Sequence, residues 1–146
     1  MDINLILNKI NFVGRYKEIC LDHNDYENRL RGRNTKRYLA ILKKLDENFS
    51  YVSKDKFFTL KYEYEAFELN LGLVINDGLV EPSLYVIRNE DWILYHRFDF
   101  ISEKLHPGFR ENFDLPKYKT EAKLEALLTE ILKLYKDIRV AFVKDF

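Results

Sequence analysis

Residues 67–78 constrain the fold of this chain more than any other stretch. Phe67, Leu69, Leu71, Leu73 and Ile75 alternate with Glu68, Asn70, Gly72 and Val74, and Asn76-Asp77-Gly78 follows at once. Successive side chains of a strand point to opposite faces, so this pattern gives one apolar face and one that is largely polar. Asn-Gly and Asp-Gly pairs accept the positive φ that tight hairpins need, so the next segment should return antiparallel. The alternation extends both ways. Phe58, Leu60, Tyr62 and Tyr64 alternate upstream, residues 79–88 form the next strand, and 92–99 the one after, beyond a turn at Asn89-Glu90-Asp91. Pro82 has no N–H to give a neighbouring strand, so its half of the strand belongs at an edge or a bulge.

Helical periodicity brackets the sheet. Ile6, Ile10, Val13 and Cys20 share a stripe over residues 3–21, with Asp2 as the cap. Tyr38, Ile41, Leu42, Leu45 and Phe49 give a second helix over 35–48, capped by Asn34 or Thr35. Residues 102–118 read as a loop punctuated by Pro107-Gly108 and Pro116. Thr120 then caps a long helix whose stripe runs through Leu124, Leu127, Leu128, Ile131, Leu132, Tyr135 and Ile138. A stripe that wide suits packing on a sheet. Val140 and Phe142 alternate with Ala141 and Val143, which suggests a short closing strand. The expected fold is therefore a single α+β domain over residues 1–146. It has two N-terminal helices, a four-stranded antiparallel sheet and a long C-terminal helix packed on that sheet.

Charge is unevenly placed. The chain is formally neutral, with 24 basic and 24 acidic residues. Residues 57–99 hold only Lys61, Arg88 and Arg97 against Glu63, Glu65, Glu68, Asp77, Glu81, Glu90, Asp91 and Asp99. An acidic sheet suggests a docking surface for something basic. Overall neutrality argues against a nucleic-acid coat, so nucleic acid is not the expected partner. The one dense basic run, Arg29-Leu30-Arg31-Gly32-Arg33-Asn34-Thr35-Lys36-Arg37, is open to two readings. It is a phosphate-binding loop or a solvated counterweight to the sheet.

Catalytic patterns are sparse. His96 alternates with Trp92, Leu94 and Phe98, so the ordinary expectation is a hydrogen-bonded histidine buried under the long helix. The competing reading is a general base working with Asp99 and a nearby tyrosine. Cys20 sits on an apolar helix stripe and reads as a small hydrophobe. No cysteine–histidine spacing for zinc, no nucleophile elbow and no phosphate-binding glycine loop occurs, so no catalytic residue, cofactor or metal is assigned. No apolar run reaches membrane-spanning length, and the start at Met1-Asp2-Ile3-Asn4 does not read as a secretory signal, so no membrane partner is expected. A single cysteine suits a reducing cytoplasm.

The chain contains 10 Tyr and 11 Phe, more aromatic side chains than a core of this size needs. Tyrosines set among acidic groups on a sheet are typical anchors of protein interfaces. The expected partner-binding set is Tyr62, Glu63, Tyr64, Glu65, Glu68, Tyr85, Tyr95, Arg97 and Asp99. In size, in its cysteine-poor composition, in its acidic sheet and in lacking a catalytic set, the chain resembles the immunity proteins that neutralise bacterial polymorphic or secreted toxins. That resemblance implies a non-enzymatic cytoplasmic protein, monomer or homodimer, whose partner is a basic toxin domain. Two other classes stay open: a chaperone or adaptor similar to those of type III secretion, and a small enzyme using His96.

Overall fold

A computed structural model describes residues 2–146; Met1 lies outside the described residues. Three helices come first: α1 (Ile3–Lys9), α2 (Phe12–Asp22) and α3 (Thr35–Leu45). Six strands follow: β1 (Ser50–Val52), β2 (Phe57–Leu60), β3 (Glu63–Tyr64), β4 (Phe67–Asn76), β5 (Leu79–Arg88) and β6 (Asp91–Arg97). Then come α4 (Phe98–Leu105), α5 (Phe109–Asn112) and α6 (Glu121–Asp145). The class is α+β, as expected, with more strands than the expected four. All pairings are antiparallel, in the order β1-β2-β4-β5-β6, with the two-residue β3 also on β4.

The β4–β5 hairpin is the spine of the sheet. Its register runs from Phe67↔Arg88 to Asn76↔Leu79, and Asp77 (φ 52) and Gly78 (φ 76) take the left-handed conformations that the sequence expects there. Phe67, Leu69, Leu71, Leu73 and Ile75 face inward with Val80, Leu84 and Val86, all buried. Pro82 pairs with Leu73 on one side, and the β5–β6 pairing begins only at Ser83. Pro82 therefore sits where β5 is locally an edge.

Helix α6 covers the inner face. Leu124, Leu127, Leu128, Ile131, Leu132, Leu134, Tyr135, Ile138 and Phe142 are its buried residues. Helices α1, α2 and α3 flank α6 and are pinned to it by polar side-chain contacts in sequence along its length. Arg37 and Lys44 of α3 meet Glu121 and Glu125, and Arg15 of α2 meets Asp137. His23, just past α2, meets Glu130, and Lys9 of α1 meets Asp145.

Several boundaries differ from the sequence reading: the second expected helix, 35–48, ends at Leu45, and the expected strand through Tyr64 is split into β2 and β3. The first helix is broken, because Asn11 adopts φ 55 and starts α2 anew. Asparagine tolerates the left-handed region better than most residues. Gly14 helps, since a Cβ there would meet the Asn11 side chain at 2.6 Å. Asp2 does cap α1, accepting from the Asn4 amide at 2.8 Å. Residues 102–118 are only partly loop, because α4 and α5 occupy much of them. The fourth expected strand stops at Arg97, so Phe98 and Asp99 open α4. The expected strand at 139–146 is the last part of α6. Phe142 and the capping residue Phe146, spaced i, i+4, pack tilted or edge-on against each other and against Phe67.

Candidate functional site

Among the described residues, no helix lies on the outer face of the sheet. Register places Glu68, Asn70, Gly72 and Val74 of β4 there, opposite Ile87, Tyr85, Ser83 and Glu81 of β5. From β6 come Arg97 opposite Ser83 and Tyr95 opposite Tyr85. A bulge then intervenes: Val86 pairs with Leu94 but Ile87 pairs with Trp92, leaving Ile93 extra. One extra residue reverses the facing of everything beyond it. Trp92 consequently joins Tyr95 and Tyr85 on the outer face, against the strict alternation that grouped it with Leu94 and His96.

The result is an aromatic cluster. Tyr85 and Tyr95 lie 4.5 Å apart between ring centroids, Tyr85 and Trp92 6.1 Å, Trp92 and Tyr95 5.9 Å, and Phe57 and Tyr85 6.4 Å. Trp92 and Tyr95 are 62% and 60% exposed. The cluster lines an open groove of about 530 Å³ shared with Gly72, Asp55, Glu81 and Arg97. Partial burial, and then the neighbouring Tyr95, push the Tyr85 hydroxyl well above its ordinary range, so it is a neutral donor throughout the physiological range.

Next to the groove lies the acidic end of the sheet. Glu63 pairs with Glu68 across β3–β4, and Glu65 and Glu90 sit in the two adjacent hairpin turns. Both turn glutamates have positive φ, 52° for Glu65 and 70° for Glu90. Left-handed non-glycine residues are uncommon and carry a local cost. The turns are also tied together, since the Asn89 amide donates to the Ala66 carbonyl at 3.1 Å. The carboxylates thus stand on a fixed platform.

The expected site residues divide three ways. Glu63, Glu68, Tyr85, Tyr95 and Arg97 share the outer face, with Glu65 at its acidic end. Tyr62 and Tyr64 belong to the other side: they stack at 6.5 Å, and Arg139 of α6 lies over the Tyr62 ring at 3.8 Å. Asp99 is not on the sheet at all. Its side chain is 8% exposed in the first turn of α4, where Arg97 donates to both its oxygens at 2.9 and 2.8 Å. Arg110 approaches the same carboxylate at 3.3 Å, and Arg97 also reaches Glu81 at 3.4 Å. Asp99 therefore fixes Arg97 from behind. Sequence reading missed Trp92, Phe57 and Asp55. The lone tryptophan on the last strand before a helix was the available signal, but the bulge hid its facing.

His96 is exposed rather than buried under the long helix, because β6 is the free edge strand and α6 does not reach it. It pairs opposite the inward-facing Leu84 and lies beside Phe100, away from the aromatic groove. No hydrogen bond links it to Asp99, whose oxygens are taken by arginines. Cys20 is buried as expected, and burial pushes its thiol up to about 12.

Other surfaces are less organised. A cavity of about 720 Å³ separates the start of α2 from the α4–α5 turn, lined by Asn8, Asn11, Lys17, His106 and Asn112 among apolar groups. The basic run is partly built into the fold. Gly32 exchanges hydrogen bonds with Asp77, Arg29 stacks on Tyr26 and Arg37 pairs with Glu121, while Arg31, Arg33 and Lys36 face solvent. Among the described residues, no group of three or more His, Cys, Asp or Glu is placed to hold a metal ion, and no helix is long and apolar enough to cross a membrane. No protein-family model, curated protein or solved structure matches this chain.

Proposed function

We propose that this chain is a non-enzymatic protein-binding module that docks a basic partner on the outer face of its sheet, in the manner of an immunity protein occluding a toxin domain in the bacterial cytoplasm. One observation carries the reading: a helix-free sheet face joins exposed Trp92 and Tyr95 to a platform of Glu63, Glu65, Glu68 and Glu90. Tryptophan and tyrosine dominate binding energy at interfaces, and a carboxylate field speeds and orients the encounter with a cationic surface. A basic active-site cleft, such as a nuclease carries, complements both. The enzyme alternative gains little from the geometry, since His96 is exposed and, among the described residues, has no hydrogen bond or ion pair to a carboxylate.

The test is co-purification of the tagged chain with the products of neighbouring genes, followed by toxicity rescue. A partner retained by the wild type and lost after joint reversal of Glu63, Glu65 and Glu68 to lysine is the expected result. A partner retained undiminished by that variant and by Trp92→Ala would move the interface elsewhere. Substrate turnover that disappears in a folded His96→Ala variant would replace this function with an enzymatic one.

A further inference from the structure

Several surface or half-buried aromatic rings in this protein are capped by its own cations. Arg88 lies 3.5 Å from the Phe146 ring centroid, Arg29 3.8 Å from Tyr26, Arg139 3.8 Å from Tyr62 and Arg110 4.0 Å from Phe100. The cluster of Tyr85, Trp92 and Tyr95 has no cation of its own, although Trp92 and Tyr95 are at least as exposed as Tyr26: among the described residues none lies over any of its rings. Arg97, which lines the same groove, is turned toward Glu81, Asp99 and the Phe100 ring. Asp55 lines the same groove, and among the described residues it makes no ion pair.

We infer that this groove receives the side chain of an arginine or lysine presented by the partner protein, with the cation over the Trp92 and Tyr95 rings and its charge directed to Asp55. The inference rests on the docking-surface reading above and names the chemistry that surface recognises. Aromatic faces are the negative pole of the ring quadrupole, and rings set at an angle present several such faces to one point. Tyr85 and Trp92 are inclined at 78°, and Trp92 and Tyr95 at 36°, which makes a walled recess rather than a flat stack. Gly72 gives that recess its depth, because any Cβ there would intrude on the Tyr85 ring. A purely apolar anchor is the poorer occupant, since it would desolvate Asp55 without pairing it. An acidic anchor would face Asp55, Glu81 and the acidic platform.

Trp92 is the only tryptophan, so its fluorescence reports on this groove alone. The full chain is titrated at low salt with a short oligoarginine peptide, an oligolysine peptide of equal length, and neutral and acidic peptides as controls. A saturable change in Trp92 emission with either basic peptide and neither control is expected. Tyr95→Leu keeps apolar bulk but removes the aromatic face, and Asp55→Asn removes the charge. Each is expected to weaken that binding about tenfold. Both positions are exposed, and circular dichroism checks that each variant is folded. An equal response to the neutral peptide overturns the inference, as does wild-type affinity in both variants. If basic peptides bind, lose affinity on reversal of Glu63 and Glu68, and leave Trp92 emission unchanged, the docking surface stands and the arginine–lysine recess does not. If no basic peptide binds, the recess is again overturned, while the docking surface is judged by the partner co-purification.

Discussion

The Tyr85 ring fills the space that a side chain on Gly72 would need. A Cβ built at position 72 comes 2.7 Å from Tyr85 Cε2 and 3.0 Å from its hydroxyl oxygen. Gly72 is not held by a special backbone conformation, since it is absent from the positive-φ glycines. Its role is close approach: it lets a large ring from the neighbouring strand lie flat across β4. Gly72→Ala should therefore swing Tyr85 outward, toward Tyr95 and Trp92. The expected outcome is an altered Trp92 emission spectrum and weaker partner binding. The stability loss from overpacking should be about 1–3 kcal/mol by urea titration. An unchanged spectrum would show that the ring does not depend on the glycine.

A second contact joins the layers. The Tyr135 hydroxyl donates to the Leu69 carbonyl at 2.6 Å, from the centre of α6 to the centre of the sheet. The reason lies in the strand order. Along β4, β2 pairs with residues 71–73 and β3 with residues 67–68, so Leu69 falls in the gap between two short strands. Its amide is satisfied by the Tyr62 carbonyl at 2.8 Å, and its carbonyl takes the Tyr135 hydroxyl instead of a strand partner. Tyr135→Phe keeps the packing and leaves that buried carbonyl unpaired, at a cost of about 1–3 kcal/mol. Denaturant titration with an unchanged m-value is the check. A loss near zero would mean that a water molecule replaces the lost donor.

How far the sequence reaches depends on whether local pattern and long-range pairing agree. Phe67 to Ile75 and the Asp77-Gly78 turn were legible because alternation and turn chemistry are both local. So was the α6 stripe. The register of β6 was not, because a bulge at Ile93 is fixed by pairing with β5, and one extra residue changes which side Trp92 faces. The break at Asn11 was hidden for a similar reason: the apolar stripe of α1 and α2 continues across it, and only the left-handed asparagine separates them. At the end of α6, Val140, Phe142 and Val143 fit either period, and helical continuation prevails because Phe142 packs on Phe67. Acidic surplus drew the reading to the sheet, but it also counted Asp99, whose charge is taken up by Arg97 and Arg110 off the sheet.

Burial of ionisable hydroxyls and the thiol sets the alkaline limit of the fold. Burial raises Tyr16, Tyr118 and Tyr135 well above the ordinary phenol range, and it raises Cys20 from 9.0 to about 12. A group with a raised folded-state pKa keeps its proton in the native protein after the unfolded chain has lost it. Its stabilising contribution is complete below the unfolded value and disappears as pH climbs through the folded one. Unfolding free energy should therefore fall between about pH 9 and 12. Cys20→Ala should shallow that decline over the lower part of the window, while adding a cavity cost at neutral pH. In the native protein at pH 8, Cys20 should react with a thiol reagent only as fast as the chain opens. Immediate stoichiometric labelling would contradict its burial.

The two zones of the outer face should separate kinetically. Glu63, Glu65, Glu68 and Glu90 lie at the acidic end, and their field acts before contact. Trp92 and Tyr95 lie in the groove, and their contribution needs desolvation. Charge reversal at Glu68 should therefore lower the association rate and flatten its salt dependence, with little change in dissociation. Tyr95→Ala should raise the dissociation rate and cost about 2 kcal/mol or more, with little effect on association. Arg97 gives a sharper discrimination. It lies in the groove but is held from behind by Asp99, so Asp99→Asn should loosen its position without touching the outer surface. Binding should then weaken less than in Tyr95→Ala, and mainly through faster dissociation. Surface plasmon resonance across a salt series resolves these cases. Equal effects of Glu68 and Tyr95 variants on both rates would mean that steering and anchoring are not divided between the two zones.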